Sequence, residues 1–177
     1  MLREHGGRIQ VASSQGQGST FTVLLPPSPV QNPDPAAPDP ARPRPSFDGL
    51  RILLAEDEPE IRMVLKELLT RQGAEVVVGV DGEDALNLWE LLGPFDLLVT
   101  DQRMPRLNGL ELLGRLRARQ NDLPVLVMTG YGLEEAAAVL GGDVRARLLA
   151  KPFTVPTLVE AITGLVNTPR ALPRLPG

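Results

Sequence analysis

Short apolar runs alternate with segments of helical hydrophobic spacing through the second part of the chain. The apolar runs have the length of single strands, and they occupy residues 50–55, 75–80, 95–100, 124–128 and 147–150. Unbroken runs of this kind are typical of strands that are buried on both faces, as in a parallel sheet. Between them, apolar residues recur at helical spacing and predict helices over residues 59–72, 82–92, 109–119, 133–140 and 155–166.

This repeat of strand and helix occurs five times within residues 47–166, which predicts a parallel sheet between two layers of helices. Because crossover connections are right-handed, covering both faces of the sheet requires the winding to reverse once. We therefore predict an α/β fold, a flavodoxin-like doubly wound five-stranded parallel sheet of strand order 2-1-3-4-5 with its switch point between strands 1 and 3.

The first 25 residues have a different pattern, that of a short β-hairpin. Strand-like runs at 8–13 and 20–25 flank a glycine-rich turn, and Gly6-Gly7 is typical of a helix end. A hairpin with one helical turn buries too little surface to fold alone, so residues 1–25 are either a piece of a larger fold or an appendage. Residues 26–46 carry nine of the chain's 18 prolines and are predicted to be an extended linker, and 167–177 a flexible tail.

Composition narrows the chemistry that is open to this chain. With 42% hydrophobic residues, 23% charged residues and a net charge of −4, it resembles a soluble globular protein, and nothing favours nucleic acid or an anionic membrane as partner. No apolar run approaches the roughly 20 residues that span a bilayer. We expect no signal peptide, no membrane contact and a cytoplasmic location. The absence of cysteine excludes disulfides and thiolate metal sites, and the single histidine, His5, excludes a multi-histidine centre.

Two features of the basic residues refine this view. Of the 18 basic residues only Lys66 and Lys151 are lysine, and a lysine directly after a buried strand indicates a site for a compact ammonium group. Arg115, Arg117 and Arg119 are expected to form a solvated helix face rather than a nucleic-acid patch, because no aromatic residues are interleaved with them.

Polar side chains follow four of the predicted strands. Glu56 and Asp57 come after the first strand, Asp101 after the third, Thr129 after the fourth and Lys151 after the fifth. Open α/β sheets place their chemistry at this edge, and the three carboxylates are expected to meet there because strands 1 and 3 are neighbours. Each residue alone is typical of a helix cap, a strand end or a surface charge, and Asp57 is expected to cap the first helix in any case. Their joint placement at one edge of the predicted sheet favours a functional site.

Unpaired carboxylates at one edge would raise one another's pKa, and a hard divalent cation resolves that repulsion. Mg²⁺ favours a few carboxylates plus waters, which leaves coordination positions free for phosphate oxygens. Asp101 has the central place and is the predicted phosphoryl acceptor, with the two strand-1 carboxylates holding the metal. Lys151 and the Thr129 hydroxyl complete a clamp for the transferring group.

Four motifs carry this constellation: Ile-Leu-Leu-Ala-Glu-Asp-Glu-Pro, Val-Thr-Asp-Gln-Arg-Met-Pro, Leu-Val-Met-Thr-Gly-Tyr and Leu-Ala-Lys-Pro-Phe. Together they resemble the receiver domain of two-component response regulators over residues 50–166. The resemblance implies that Asp57 binds Mg²⁺ directly, that Glu56 acts through water and that the backbone carbonyl of Arg103 is a further ligand. It also implies a cis peptide between Lys151 and Pro152.

The sequence departs from the family at one position. The family usually has Tyr or Phe three residues before the lysine, where its ring turns inward as the conserved hydroxyl moves onto the phosphoryl group. Here that position is Leu148, and Tyr131 is the candidate for taking over part of the aromatic switching.

The first 25 residues contain, in order, a helix stop, a strand, the loop Gly16-Gln17-Gly18-Ser19-Thr20, and a closing strand followed by Pro26. In this order they resemble the last segment of the ATP-binding domain of sensor histidine kinases. The Asn- and Asp-bearing segments that hold Mg-ATP and the helix with the phosphorylated histidine are missing. A Gly-x-Gly loop alone is more often a hairpin turn than a phosphate cradle, so Gly16 and Gly18 are at most the remnant of an ATP loop. His5 is expected to be a surface residue.

These resemblances imply a receiver domain that takes a phosphoryl group from a phosphohistidine onto Asp101 with Mg²⁺, as the C-terminal part of a hybrid sensor histidine kinase. The implied partners are a histidine kinase's phosphohistidine domain as donor and a downstream phosphotransfer protein. Kinase catalysis by this chain is not expected, because the kinase core is missing. The alternatives are a stand-alone response regulator, an ATP-dependent kinase, and a phosphohydrolase with an aspartyl intermediate, for which Arg103 occupies the place of the general acid.

Overall fold

A computed structural model of the chain describes residues 8–14, 16, 18–24, 26, 46–119 and 122–167. Seven strands and five helices lie in these ranges. In chain order they are β1 (Arg8–Ser14), β2 (Gly18–Leu24), β3 (Arg51–Ala55), α1 (Pro59–Arg71), β4 (Glu75–Gly79), α2 (Gly82–Leu92), β5 (Leu97–Asp101), α3 (Gly109–Arg117), β6 (Val125–Thr129), α4 (Leu133–Leu140), β7 (Ala146–Ala150) and α5 (Val155–Val166). Two compact units contain them, divided between Pro43 and Arg44.

The larger unit is built on a five-stranded sheet of order β4-β3-β5-β6-β7, in which every pairing is parallel. This is the predicted order 2-1-3-4-5, and the predicted flavodoxin-like fold is confirmed. The winding reverses between β3 and β5, where Ala55 pairs with Thr100. Glu56 therefore leaves the sheet beside Asp101, at the switch point where ligands of such sheets bind.

Two hydrophobic layers cover the sheet, and alternate residues of β3 point into different layers. Ile52 and Leu54 pack in the layer that contains α1 and α5, whereas Leu53 and Ala55 pack in the layer that contains α2 and α3. All four residues are fully buried. A strand buried on both faces has no polar side, which explains why the sequence shows an unbroken apolar run there.

Local details differ from the sequence-based expectations, and each strand of the sheet is shifted by one or two residues at one or both of its ends. Arg117, expected on a solvated helix face, is half-buried and pairs with Asp143 at 2.8 Å. The expectation that Asp57 caps α1 is wrong: the N-cap is Glu58, whose carbonyl accepts the Arg62 N–H at 2.9 Å, and no side chain caps this helix. Pro59 occupies the first helical position and so sets the cap one residue before itself. Helix α3 ends at Arg117, two residues early, and Asp101 is the last residue of β5, where it pairs with Met128.

The smaller unit contains the predicted hairpin. Strands β1 and β2 pair antiparallel from Arg8 opposite Leu24 to Ser14 opposite Gly18. Gly16 and Gly18 have φ of +82° and +87°, a left-handed conformation that favours glycine in a tight turn. One face presents apolar side chains that are all exposed in this unit: Ile9, Val11, Phe21 and Val23.

Several sequence-based expectations lie outside the described residues. They are the helix end at Gly6-Gly7, the surface position of His5, most of the 26–46 linker and the flexible tail beyond residue 167. Among the residues that the structure does describe, no helix has the length and apolar character needed to cross a membrane.

Candidate functional site

Charged side chains from three strand ends meet at the carboxyl edge of the sheet. Glu56 follows β3, Asp101 ends β5 and Lys151 follows β7. The Lys151 Nζ lies 2.5 Å from Asp101 Oδ1 and 3.1 Å from Glu56 Oε2, so one ammonium group bridges both carboxylates. The structure therefore brings together residues that are 95 and 50 positions apart in the chain.

Burial makes this cluster electrostatically unusual. Glu56 is only 1% exposed and Asp101 only 8% exposed, so little water remains to solvate either carboxylate. Burial raises the pKa of Glu56, and the hydrogen bond and charge of Lys151 oppose that rise only in part. Burial would lower the pKa of Lys151, but its hydrogen bonds to Asp101 and Glu56 outweigh that and raise the pKa overall. The lysine is therefore held in its charged form by the two acids.

The second oxygen of Asp101 is fixed by the chain that follows it. The Arg103 N–H donates to Asp101 Oδ2 at 2.7 Å, and the Gly109 N–H donates to the Gln102 carbonyl at 3.0 Å. A Cβ on Gly109 would stand 2.1 Å from the Asp101 carbonyl oxygen, so only glycine allows this close approach. The loop between β5 and α3 thus curls tightly around the Asp101 carboxylate.

Thr129 reaches the same edge, but its hydroxyl is engaged elsewhere. Its Oγ1 donates to the Tyr131 carbonyl at 2.6 Å, while its own carbonyl accepts the Lys151 N–H at 2.7 Å. In this arrangement the hydroxyl holds the loop between β6 and α4 and does not hydrogen-bond Asp101. The Tyr131 ring is 74% exposed, with the Arg103 guanidinium 5.7 Å from its centroid. Leu148 is half-buried against the α2–α3 layer.

Asp57 has the most open carboxylate of the three acids. The residue is half-buried, and among the described residues its side chain has no hydrogen bond or ion pair. Its backbone is held instead: Arg62 Nη1 donates to the carbonyls of Glu56 and Asp57, at 2.9 and 3.0 Å. Sequence reasoning missed Arg62, because an arginine on the polar side of a helix carries no signal of an inward contact.

The donor set of this edge fits Mg²⁺ chemically. The described residues contain no group of three or more His, Cys, Asp or Glu side chains placed to hold a metal ion. Mg²⁺ does not need such a group, because it is usually bound by one or two carboxylates together with waters and phosphate oxygens. Asp57 and Asp101 are hard oxygen ligands of that kind, and the Asp57 carboxylate is unpaired in the described structure. For the Arg103 backbone, the contact that the structure records is the N–H donated to Asp101 Oδ2, not one through the carbonyl.

Comparison with known proteins identifies the family of the domain that contains this sheet edge. Residues 52–163 match the response regulator receiver domain family. The chain belongs to this family. The receiver domain accounts for the five-stranded parallel sheet, and the expected cis peptide between Lys151 and Pro152 is present.

The relatives of this receiver chain include sensor kinases. The circadian input-output histidine kinase CikA of Synechococcus elongatus is 37% identical over 168 residues, which is 93% of this chain and 21% of CikA. The aerobic respiration control sensor protein ArcB of Escherichia coli is 33% identical over 172 residues, which is 95% of this chain and 22% of ArcB. The chain thus spans about a fifth of the length of these curated relatives.

A solved receiver structure shows the same fold. The receiver domain of sensor histidine kinase PA1611 from Pseudomonas aeruginosa, solved with a magnesium ion coordinated in its active site cleft, has a TM-score of 0.60 and 27% identity. The match covers 68% of this chain and 99% of that domain. The unmatched part of this chain is therefore what lies outside a complete receiver domain.

Proposed function

We propose that this chain accepts a phosphoryl group from a phosphohistidine onto Asp101, with Mg²⁺, in a phosphorelay. The observation that carries the proposal is the bridge of Lys151 between Asp101 and Glu56, together with the carboxylate of the neighbouring Asp57, which has no partner among the described residues. The two buried acids share one ammonium group, and the half-buried Asp57 carboxylate beside them in the chain has no partner among the described residues and is available to a cation.

The proposed reaction is an in-line transfer. An Asp101 oxygen forms a bond to phosphorus as the bond from phosphorus to the donor imidazole nitrogen breaks, and the imidazole leaves with its electron pair and takes up a proton. Phosphoryl transfer of this type depends on positioning and on neutralising charge. Lys151 supplies a fixed positive charge 2.5 Å from Asp101 Oδ1. We propose that the Thr129 hydroxyl leaves the Tyr131 carbonyl to donate to the transferred phosphoryl group.

Asp57 and Asp101 are the residues proposed to hold Mg²⁺ directly, with the Arg103 carbonyl as a further ligand and Glu56 acting through water. When bound, Mg²⁺ neutralises charge on the phosphoryl oxygens and on the carboxylates. The raised pKa of Glu56, caused mainly by burial, supports a site that gains from a second cation besides Lys151.

We propose that the chain is the C-terminal part of a hybrid sensor histidine kinase. In this organisation residues 1–25 are the last segment of the ATP-binding domain, 26–46 the linker, 47–166 the receiver and 167–177 a tail. The CikA match supports this organisation, because it covers 93% of the chain while the receiver match covers residues 52–163. Gly16 and Gly18 are then a relic of the ATP loop. Because phosphohistidine is made with ATP, we place the reaction in the cytoplasm.

The donor in this proposal is a phosphohistidine domain of a histidine kinase, and a downstream phosphotransfer protein is a candidate recipient. A stand-alone response regulator would share the chemistry of Asp101 but not the segment that resembles a kinase. Adding the kinase core of a relative that carries phosphohistidine would test the donor. Transfer of the label from that histidine to Asp101 is the expected result, and failure of transfer from every such donor would contradict the relay.

Labelling with a small acyl phosphate tests the acceptor. The purified chain is incubated with acetyl phosphate and Mg²⁺ and analysed by intact mass spectrometry, and we expect one added phosphoryl group that Asp101→Ala abolishes. Asp96→Ala is the matched control, because Asp96 lies just before the same strand at its opposite end, where it accepts the Arg51 N–H. Label that persists in Asp101→Ala would overturn the proposal, as would loss of label in the control alone.

A further inference from the structure

The loop that follows β3, residues 56–58, is here called the acidic loop, and Arg62 hydrogen-bonds to its backbone. Arg62 lies in the first turn of α1, and its Nη1 donates to two successive carbonyls, those of Glu56 and Asp57, at 2.9 and 3.0 Å. Both hydrogens of this nitrogen are thereby used, and the side chain is half-buried. The two peptide units that carry the acidic side chains are therefore fixed from outside the cluster.

Helix stability does not explain an arginine at this place. The amino end of a helix carries partial positive charge, so a cation in the first turn is unfavourable for the helix itself. The Glu58 side chain makes no cap hydrogen bond, and the Glu58 N–H itself donates to Glu56 Oε1 at 3.4 Å. The favourable interactions of Arg62 that the structure shows are those with the loop carbonyls. Its contribution is therefore to the loop.

In Glu56 and Asp57 the backbone and the side chains make different contacts: Arg62 binds the backbone carbonyls but not the carboxylates. Each of the two carbonyls already accepts a hydrogen bond from Arg62. Glu56 uses one carboxylate oxygen on Lys151 and the other on the Glu58 N–H, while Asp57 has no side-chain partner in the described part of the chain. Asp57 thus combines a fixed backbone with an open carboxylate, which is how a pre-organised metal ligand is built.

We propose that Arg62 is a positioning residue for Mg²⁺, which sets the direction of the Asp57 carboxylate by tethering the carbonyls of Glu56 and Asp57. The inference rests on the proposed function of this edge and adds a residue that does not touch the metal. Supporting residues of this kind typically contribute about 10-fold or more to metal affinity.

Two other roles for Arg62 predict different results. If the guanidinium acted only as a nearby positive charge, its removal would strengthen Mg²⁺ binding, because a competing cation would be gone. If it only stabilised the fold, removal would lower the melting temperature and leave Mg²⁺ affinity unchanged. Tethering predicts weaker Mg²⁺ binding, with partial recovery by a side chain that restores a donor.

The experiment titrates MgCl₂ into the full chain without any phosphoryl donor and follows binding by calorimetry and by the backbone amide signals of residues 56–58. We expect Arg62→Ala to weaken Mg²⁺ binding about 10-fold and Arg62→Lys to recover part of the loss. Arg71→Ala is the matched control, since Arg71 is a cation of the same helix that pairs with the exposed Glu67 and does not contact the loop. Asp57→Asn reports whether the titration measures the proposed site.

Unchanged or tighter Mg²⁺ binding by Arg62→Ala, while Asp57→Asn weakens binding, overturns the positioning role and leaves the proposed function standing. Absence of Mg²⁺ binding by the unaltered chain overturns both. Should Arg62→Ala not fold, as judged by circular dichroism, Arg62→Gln replaces it, because glutamine is neutral and too short to span both carbonyls. Binding by Arg62→Gln within twofold of the unaltered chain would then contradict the tether.

Discussion

The two ends of the five-stranded sheet both carry charged clusters, but the clusters are built differently. At the amino-terminal end the cations are arginines. Arg51 contacts Glu75 at 2.9 Å and the Pro94 carbonyl at 3.1 Å, and Arg117 contacts Asp143 at 2.8 Å and the Leu123 carbonyl. Each guanidinium joins an acid to a loop backbone. In both clusters the acid is paired with an arginine.

At the carboxyl-terminal end, Asp81 after β4 is likewise paired with an arginine, Arg106, but the cation in contact with Glu56 and Asp101 is a lysine, and that cluster stays open. Lys151 bridges Glu56 and Asp101, while the Asp57 carboxylate has no partner among the described side chains and loops. A planar guanidinium suits several fixed hydrogen bonds, whereas an ammonium is a compact charge that can be shared. In a chain with only two lysines, the comparison separates charges that are paired within the fold from the charges that the proposed function assigns to a ligand.

Removing the lysine should have the largest effect. Lys151→Met takes away the positive charge beside Asp101, and we expect the initial rate of labelling by acetyl phosphate to fall about 100-fold or more. Lys66→Met, which removes the other lysine from an exposed position on α1, should leave the rate unchanged. Equal labelling rates for Lys151→Met and the unaltered chain would show that the Lys151 charge is not needed for phosphoryl transfer to Asp101.

Breaking an arginine contact at the amino-terminal end of the sheet should lower the free energy of unfolding and leave the labelling rate unchanged. Arg117→Ala removes a half-buried contact to Asp143 and a hydrogen bond to the Leu123 carbonyl, and we expect the free energy of unfolding in urea to fall by about 2 kcal/mol. The labelling rate of the folded variant should match that of the unaltered chain. A labelling defect without a stability loss would remove the distinction between the two ends.

A smaller effect is expected where the hydroxyl of Thr129 meets the Tyr131 carbonyl. Thr129→Val keeps the shape of the side chain and loses this 2.6 Å hydrogen bond, so unfolding free energy should fall by about 1 kcal/mol. Thr129→Ser should retain both the bond and most of the labelling rate. If valine labels as fast as threonine, the hydroxyl contributes only to the loop and has no part in the transfer.

The subtlest prediction concerns the titration of Lys151. Its pKa is raised above the ordinary 10.5 despite burial, because Asp101 and Glu56 accept its hydrogen bonds. The stabilisation is therefore complete below the pKa of the unfolded lysine and is lost as pH rises above 10.5 through the folded value. Lysine ¹³Cε signals observed by NMR would measure this, and Asp101→Asn should lower the pKa of Lys151. The Lys66 signal is the internal reference, and an unchanged Lys151 titration in Asp101→Asn would contradict the bridge.

The fold was predictable from the sequence because its signals are local. Hydrophobic periodicity marks the strands and helices of the receiver domain, and β3, β5 and β6 read as apolar runs because both of their faces are buried. The error at Asp57, one residue before the true cap at Glu58, shows the limit of such signals. Several acidic residues in a row satisfy the same cap pattern, and the sequence does not rank them.

For the candidate site, too, some features were determined by the sequence and others only by the tertiary structure. Parallel strands place their carboxyl ends at one edge, so the sequence alone determined that Glu56, Asp101, Thr129 and Lys151 would share that edge. Only the tertiary structure decided their contacts: Lys151 bridges the two acids, while the Thr129 hydroxyl turns to the Tyr131 carbonyl. It also decided that Arg62 holds the acidic loop by its carbonyls. Periodicity tells which face a residue occupies, but the choice among competing partners depends on distances and angles that only the packed strands and loops fix.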